Sequence, residues 1–245
     1  MNEVTRLLKN HKSIRQYKAD AIPEDQLHEM IHAAQHAASS NFVQAYSIVR
    51  VTEPDKIDAL ATLSKNEKQI KSAPVVLLFC CDLKRLEYAC RKQGVEMTSE
   101  GLENFIVGTV DTALFAQNFV VAAESLGYGI CYIGGVRNNP EQISELVNLP
   151  DKVYPVFGMT VGVPDEEQFV KPRLPVEAIL HENHYDESKY EQMISDYDQT
   201  MSEYYQTRLT NRRQTTWSET MSNMMRQPRR QHMKEFIEKK GFKIN

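Results

Sequence analysis

Between His11 and Tyr17 the chain reads His11-Lys12-Ser13-Ile14-Arg15-Gln16-Tyr17. In an extended backbone, residues two apart share a face, so His11, Ser13, Arg15 and Tyr17 would line up together. Two cationic or hydrogen-bonding donors and a hydroxyl on one face can bind a phosphate, with Arg offering a planar fork of donors. The same stretch also fits a solvated basic connector. A second pair lies in Lys171-Pro172-Arg173-Leu174-Pro175, where proline on both sides holds the chain extended and sets Lys171 and Arg173 on one face. Between them lie Gly134-Gly135, which close an apolar run and would let backbone approach a flat or anionic ligand, or serve as a plain turn. Ser39-Ser40-Asn41-Phe42 offers short polar side chains for caps, turns or ligand hydrogen bonds.

Other chemistries find no support. There is no Gly-x-Gly-x-x-Gly after the first strand and no Gly-x-x-x-x-Gly-Lys-Ser/Thr, so neither a dinucleotide fingerprint nor a phosphate loop is indicated. No Gly-x-Ser-x-Gly elbow or cysteine nucleophile arrangement stands out. His28, His32 and His36 share a helix face, but no carboxylate or cysteine pattern completes a metal site, and a solvated face is favoured. Phosphate donors at both ends and a glycine platform in the middle suit a phosphorylated cofactor that performs the chemistry itself.

The elements that would position these residues follow from periodicity. Helices are expected over Val4 to Lys9, Pro23 to Ala38 and Pro54 to Leu63, with Lys65 to Ser72 a polar loop or short helix. Strands are expected over Gln44 to Val51, Ala73 to Cys81, Ile130 to Ile133 and Val153 to Val163. From Gly101 an apolar helix should run to Gly127, covered on most sides because it has almost no continuous polar face. A further helix should follow Pro140 to Leu149. Residues 84 to 100 are charged and read as a surface excursion or lid. From His184 the chain is polar, Tyr-rich and helical, and Trp217 is the only tryptophan. Strands alternating with helices, then helices alone, suggest an α+β core with a central sheet and a helical arm that reaches across a partner.

At 245 residues and 41% hydrophobic the chain can bury a sizeable core. A net charge of −4 gives no general attraction to nucleic acid or acidic membrane. The first ten residues hold no stretch adequate for a signal peptide, and the apolar run Ala73 to Cys81 is too short to span a bilayer. Cys80, Cys81, Cys90 and Cys131 form no Cys-x-x-Cys pair and read as reduced thiols of a cytoplasmic protein.

Taken in order, several segments resemble the nitroreductase superfamily. They are His11 to Arg15, Ser39-Ser40 with Gln44-Ala45-Tyr46-Ser47-Ile48, Ala122-Ala123-Glu124-Ser125-Leu126-Gly127, Tyr132 to Asn138 and Lys171 to Pro175. More closely, the chain is similar to the NADPH-dependent flavin oxidoreductase and oxygen-insensitive major nitroreductase branch. Tyr197-Asp198, Glu203-Tyr204-Tyr205, Arg208, Asn211-Arg212, Thr216-Trp217-Ser218 and Lys240-Gly241-Phe242 match that branch's tail.

The resemblance implies a central mixed, mainly antiparallel sheet flanked by helices. Residues 1–180 would form an FMN-binding core, with 84–105 a surface excursion or lid. Residues 181–245 would form a helical extension for dimerisation and NADPH binding. It implies a homodimer with tight, non-covalent FMN at the interface. His11, Ser13, Lys171 and Arg173 would hold the flavin phosphate, and Arg15 would lie near the N1/O2 edge. Tyr132, Ile133, Gly134 and Gly135 would pack beside the ring. Ser39, Ser40, Asn41 and Gln44 would reach the flavin held mainly by the other subunit. Arg208, Arg212 and Arg230 fall where NADPH is held. Hydride would pass from NADPH to the flavin, then two electrons to free flavin, nitroaromatics, quinones or azo compounds. Two departures stand out: Glu67 replaces the usual glutamine at the flavin pyrimidine edge, and Asn41 replaces a third serine. A superfamily flavoenzyme that does not use NADPH, and a non-catalytic binder of phosphorylated ligands, are the alternative readings.

Overall fold

A computed structural model describes residues 1–98 and 101–244. In chain order its main elements are α1 (Glu3–Lys9), α2 (Glu24–Ala34), β1 (Tyr46–Val51), α3 (Pro54–Ser64), α4 (Glu67–Ser72), β2 (Val75–Asp82) and α5 (Lys84–Lys92). There follow α6 (Leu102–Ser125), β3 (Gly129–Ile133), α7 (Pro140–Leu146), β4 (Val153–Gly162), α8 (Tyr190–Thr207), α9 (Trp217–Met225) and α10 (Met233–Lys239). The chain forms two compact units, one of residues 1–166 with 230–245 and one of residues 167–229.

The first unit is built on a four-stranded sheet of order β1-β2-β4-β3, with every neighbouring pair antiparallel. Where a mixed, mainly antiparallel sheet was expected, all four strands are antiparallel, and the one parallel feature beside them is an isolated bridge, Ser13 to Ile130, which lays the segment after α1 along the outer edge of β3. Residues of β2 alternate between two faces, as the period of a strand requires. Leu77 and Phe79, with Met159, Val161 and Ile130, pack against Leu27 and Met30 of α2 and Phe115 and Phe119 of α6. Val76, Leu78 and Cys80, with Ile133, pack against Leu60, Ala61, Ile70 and Ile143 from α3, α4 and α7. Each such aromatic or aliphatic side chain contributes about 1.5–3 kcal/mol when fully buried. Both faces of β2 are therefore covered, which is why its sequence is continuously apolar.

Several boundaries differ from the sequence reading. Helix α2 ends at Ala34 rather than Ala38, because the amides of His36 and Ala37 bond to the carbonyls of Ala33 and Ala34, three residues back. That tighter turn cannot continue an α-helix. Lys65 takes a left-handed conformation (φ 57°) that separates α3 from α4, so the polar segment after it is a short helix. Helix α7 stops at Leu146, and Asn148 has φ 54°. The charged segment from 84 contains α5, and Leu86, Met97 and Phe105 pack on a third cluster with Leu83, Tyr154 and Val156. It is thus partly a covered element, although Ser99 and Glu100 lie outside the described residues. Phe236 and Ile237 of α10, with Phe242, complete that cluster, so the segment from Arg230 onward belongs to the first unit.

Helix α6, expected to be covered on most sides, is buried along its inner face, but the single chain leaves one apolar face open. Leu102, Ile106, Val110 and Leu114, four residues apart, are between 42% and 49% exposed in the single chain. They form an apolar stripe on the face opposite the sheet. The helix is long and apolar enough to cross a membrane, but its inner face carries buried Asp111 and Thr112 and packs in the core.

In the second unit, Tyr197, Met201 and Tyr205 of α8 repeat every fourth residue and are buried with Leu174, Tyr204 and Trp217. A capping box between Thr216 and Glu219 starts α9. The amide of Ser218 donates to Asp198 Oδ1 at 2.8 Å, fixing α9 on α8.

Candidate functional site

The parallel bridge at Ser13 decides how the first donor set is displayed. Ile14 donates its amide to the carbonyl of Ile130 at 2.8 Å and is itself buried, so the extended segment turns Ile14 inward. His11, Ser13 and Arg15 occupy the alternate positions, as the sequence pattern implied. His11 Nδ1 lies 2.6 Å from Glu124 Oε1 in the last turn of α6. Arg15 is exposed; its amide donates to Glu166 Oε1 at 2.5 Å, and its Nη1 donates to the carbonyl of Ser13 at 3.2 Å. Tyr17 turns inward with Ile14: its hydroxyl is 2.8 Å from Thr160 Oγ1, and burial pushes its pKa far up. Tyr17 therefore belongs to the core and leaves the donor face.

Beside this edge runs β3, ending in a 3₁₀ turn from Gly134 to Asn138. Tyr132 is half-buried edge-on to Phe157 with ring centroids 5.0 Å apart. Burial first, then the charge of Glu124, pushes its pKa up to about 12. The two glycines have different reasons to be there. A Cβ on Gly135 would sit 2.1 Å from the Ser64 carbonyl oxygen, so that glycine is required by packing against the end of α3. At Gly134 the nearest atom would be Nη2 of Arg137 at 3.3 Å, the tip of a flexible side chain. Asn138 and Asn139 donate to the carbonyls of Ser64 and Leu63 at 3.2 and 2.7 Å, pinning the turn. Arg230 belongs to the same unit, and its Nε donates to Asn138 Oδ1 at 3.0 Å.

The Ser39–Gln44 loop leads into β1, on the opposite edge of the sheet. Asn41, Phe42 and Gln44 all have positive φ, of 45°, 59° and 49°. Asparagine tolerates that region better than serine, which accounts physically for Asn41. Buried Asp111 organises this loop, accepting from Ser39 Oγ at 2.6 Å, the Ser40 amide at 3.2 Å and the Ala45 amide at 3.1 Å. Arg85 Nη2 donates to the Gln44 carbonyl at 3.0 Å, and its Nη1 to Ser47 Oγ at 2.8 Å. A cavity of about 610 Å³ opens next to the loop, lined in part by Gln44, Tyr46, Arg85 and Phe115. Glu67 is exposed in the first turn of α4, where a carboxylate suits the positive end of the helix.

The second donor set lies in the 167–229 unit. Arg173 Nη1 donates to the Lys171 carbonyl at 2.8 Å, and Tyr197 donates to the Pro172 carbonyl at 2.9 Å, which holds the extended segment on α8. Lys171 Nζ, Arg208 Cζ and Arg213 Cζ stand 5.7, 5.2 and 4.1 Å from the centre of the Tyr205 ring. Burial alone would push the Tyr205 pKa up, but Arg213 and Lys171 outweigh it and hold the hydroxyl below its ordinary value. Arg212 Nε donates to the Arg208 carbonyl at 3.0 Å. This unit thus concentrates positive charge around one aromatic ring, a setting for an anion. Among the described residues no group of His, Cys, Asp and Glu could hold a metal ion, and His32 and His36 meet only edge-on.

Sequence reasoning missed Asp111, Arg85, Tyr205 and Arg213. Asp111 had a visible signal: it is the one charged residue between Asn104 and Ala123 in an apolar helix, and a buried charge needs partners.

Comparison with known proteins fits this geometry. The family model described as "Nitroreductase family" matches residues 8–163, and that described as "Nitroreductase family, C-terminal domain" matches residues 171–245. A Cr(VI) reductase of Pseudomonas sp. (strain G-1) is 50% identical over 239 residues, covering 98% of each chain. The FMN reductase (NADPH) of Bacillus subtilis (strain 168) is 38% identical over 250 residues, covering 100% of each. The solved structure of the NADPH:FMN oxidoreductase from Vibrio harveyi complexed with NAD⁺ superposes with a TM-score of 0.89 at 36% identity, covering 98% of each chain. Edge segment, antiparallel sheet and C-terminal helices all fall inside these matches, and the chain belongs to the nitroreductase family.

Proposed function

We propose that the protein is an FMN-dependent oxidoreductase that takes hydride from NADPH and reduces small-molecule acceptors. The observation that carries this reading is the edge segment: Ser13 is bridged to Ile130, so the His11, Ser13 and Arg15 positions run beside β3 and its glycine turn. The donor chemistry fits a flavin mononucleotide. An imidazole, a hydroxyl and a guanidinium suit an anionic phosphate and an electron-rich ring edge. The strand of Tyr132 and Ile133 ending in Gly134 offers backbone groups to a flat ring. Lys171 and Arg173 add cations for the phosphate, and Arg208, Arg212 and Arg230 serve the anionic groups of NADPH.

When bound, FMN supplies the redox chemistry, accepting hydride from NADPH and passing two electrons to the acceptor in a ping-pong cycle. The protein's residues bind and orient. Arg15 places positive charge where negative charge develops on reduction. Tyr132 stays protonated, since burial holds its pKa near 12. Free flavins, nitroaromatics, quinones and azo compounds are the acceptor classes, and the name of the 50% identical relative adds chromate.

A second chain completes the site in this reading. Ser39, Ser40, Asn41 and Gln44 enter β1, whereas His11 to Arg15 flank β3, and the two strands are opposite edges of a four-stranded sheet. Three strand spacings separate those edges by about 14 Å, and in this reading the two sets meet at one flavin by coming from different copies. The exposed stripe of α6 and Phe42, 78% exposed, give the copies apolar surface to bury. The experiment is a visible spectrum of the purified protein before and after anaerobic NADPH. A flavin spectrum that bleaches supports the reading. A protein that takes up no FMN, or a flavin that NADPH leaves oxidised, overturns it.

A further inference from the structure

We propose that Glu124 is a positioning residue that acts through His11 on the phosphate end of the cofactor. The inference rests on the assignment of His11 to that phosphate. Glu124 lies in the last turn of α6, where the carbonyl end of a helix disfavours negative charge. Its side chain is nonetheless only 13% exposed, and its Oε1 is 2.6 Å from Nδ1 of His11, itself 27% exposed. A carboxylate kept in an unfavourable and partly desolvated place by one histidine shows that the pairing decides its position.

The pairing has a chemical consequence. With Nδ1 as the donor to Glu124, the ring cannot rotate freely, and Nε2 becomes the atom His11 can offer to a ligand. To donate from both nitrogens the ring must be an imidazolium, bridging the Glu124 carboxylate on one side and a phosphate oxygen on the other. Ser13, two residues on, keeps the same face because of its bridge to Ile130. Glu124 also raises the pKa of Tyr132, so one carboxylate borders both the phosphate donor and the ring-flanking strand. An acid close to a phosphate would repel it; placed behind the imidazole it directs a cation toward it. The same contact would arise if Glu124 merely tied the segment after α1 to α6, and the two roles predict different ligand selectivity.

The discriminating pair of ligands is FMN and riboflavin, which share the ring and differ in the phosphate. Apo-protein would be titrated with each by quenching of flavin fluorescence, for the wild type, Glu124→Gln, His11→Asn and the double variant. Glutamine can still accept from Nδ1 but carries no charge. Glu124→Gln is expected to weaken FMN about tenfold, the size of one charge-assisted hydrogen bond, and riboflavin less than about twofold. The double variant should bind FMN no more weakly than His11→Asn alone, because Glu124 acts through His11. Equal weakening of FMN and riboflavin, no weakening of either, or additive losses in the double variant would overturn the proposal. If Glu124→Gln does not fold, Glu124→Asp, which retracts the carboxylate by one methylene, must show the same selective loss. A wild type that binds FMN no better than riboflavin would instead remove the phosphate assignment of His11 itself.

Discussion

Ser39 and Asp111, seventy-two residues apart, meet through a 2.6 Å hydrogen bond from Ser39 Oγ to Asp111 Oδ2, in which an almost fully buried carboxylate anchors the loop before β1. Asp111 also accepts from the amides of Ser40 and Ala45, and Ser39 Oγ in turn accepts from the Gln44 amide at 2.8 Å. Asp111→Ala would leave the buried Ala45 amide and the half-buried Ser39 hydroxyl without their acceptor. Loss of about 2–3 kcal/mol is expected in urea denaturation, with Asp111→Asn recovering part of it through its remaining carbonyl oxygen. An unchanged midpoint in both variants would show that the loop is held by other contacts.

Gly135 and Gly134 are neighbours that should respond differently to alanine. The added methyl at Gly135 meets the Ser64 carbonyl oxygen at 2.1 Å and Asn66 Nδ2 at 2.2 Å, so the turn must move away from α3 at a cost of about 1–3 kcal/mol. At Gly134 it meets only the Arg137 guanidinium, at 3.3 Å, and although Arg137 also donates to the Val156 carbonyl, a shift of a few tenths of an ångström relieves the contact. Thermal unfolding should therefore show Gly135→Ala well below the wild type and Gly134→Ala close to it. The reverse order would mean that the close approach to Ser64 does not set the stability of this turn.

How much of this was legible in the sequence depended on where its determinants lie. The apolar run Ala73 to Cys81 marked a strand because both of its faces are covered, and alternation along His11, Ser13 and Arg15 put those three side chains on one face if extended, without saying which strand the segment would join. Periodicity could not say that α6 leaves one apolar stripe open, since Leu114 and Phe115 look alike in sequence while one is exposed and the other buried. The same pattern could not separate Tyr17, turned inward to Thr160, from Arg15, turned outward. Nor could it foresee that α10 returns to Tyr154 and Leu83, because that contact joins residues about 80 and 150 positions apart. Glycine at 134 and 135 was visible, but its reason at 135, a carbonyl of α3, exists only in three dimensions.

The stripe on α6 gives the proposed dimer a direct test. Val110 is 49% exposed between Ile106 and Leu114, so Val110→Glu should leave an isolated chain folded, as a surface charge does. Between two copies the same carboxylate would be desolvated without a partner, which costs several kcal/mol. Sedimentation should show a dimer for the wild type and a shift toward monomer for Val110→Glu, with FMN weakened in parallel. A variant that stays dimeric at low micromolar concentration would place the interface elsewhere.

Stability should fall in alkali. Burial, then the charge of Asp82, raises the Cys80 pKa from 9.0 to about 12, and burial, then Glu124, raises that of Tyr132 from 10.0 to about 12. Each folded-state value lies above its unfolded counterpart, so the unfolded chain releases protons first as pH rises. The contribution is whole below pH 9 and is lost on the way to 12. Urea midpoints should hold steady on this account up to about pH 9 and then decline. A midpoint that does not move up to pH 12 would contradict both shifts.

Glu67 combines a structural and a proposed redox role that one substitution can separate. In the first turn of α4 its charge favours the helix end, so Glu67→Gln should lower stability by only about 0.3–1 kcal/mol. If Glu67 also borders the flavin pyrimidine edge, its carboxylate opposes the negative charge gained on reduction, and as an acceptor it cannot donate to the ring. Glutamine would relieve the repulsion and supply a donor. The midpoint potential of the bound flavin, followed by absorbance in a dye-coupled anaerobic titration, should then rise in Glu67→Gln while FMN binds at least as tightly. A potential equal to that of the wild type would confine Glu67 to capping α4 and leave Arg15 as the charged side chain proposed to tune reduction.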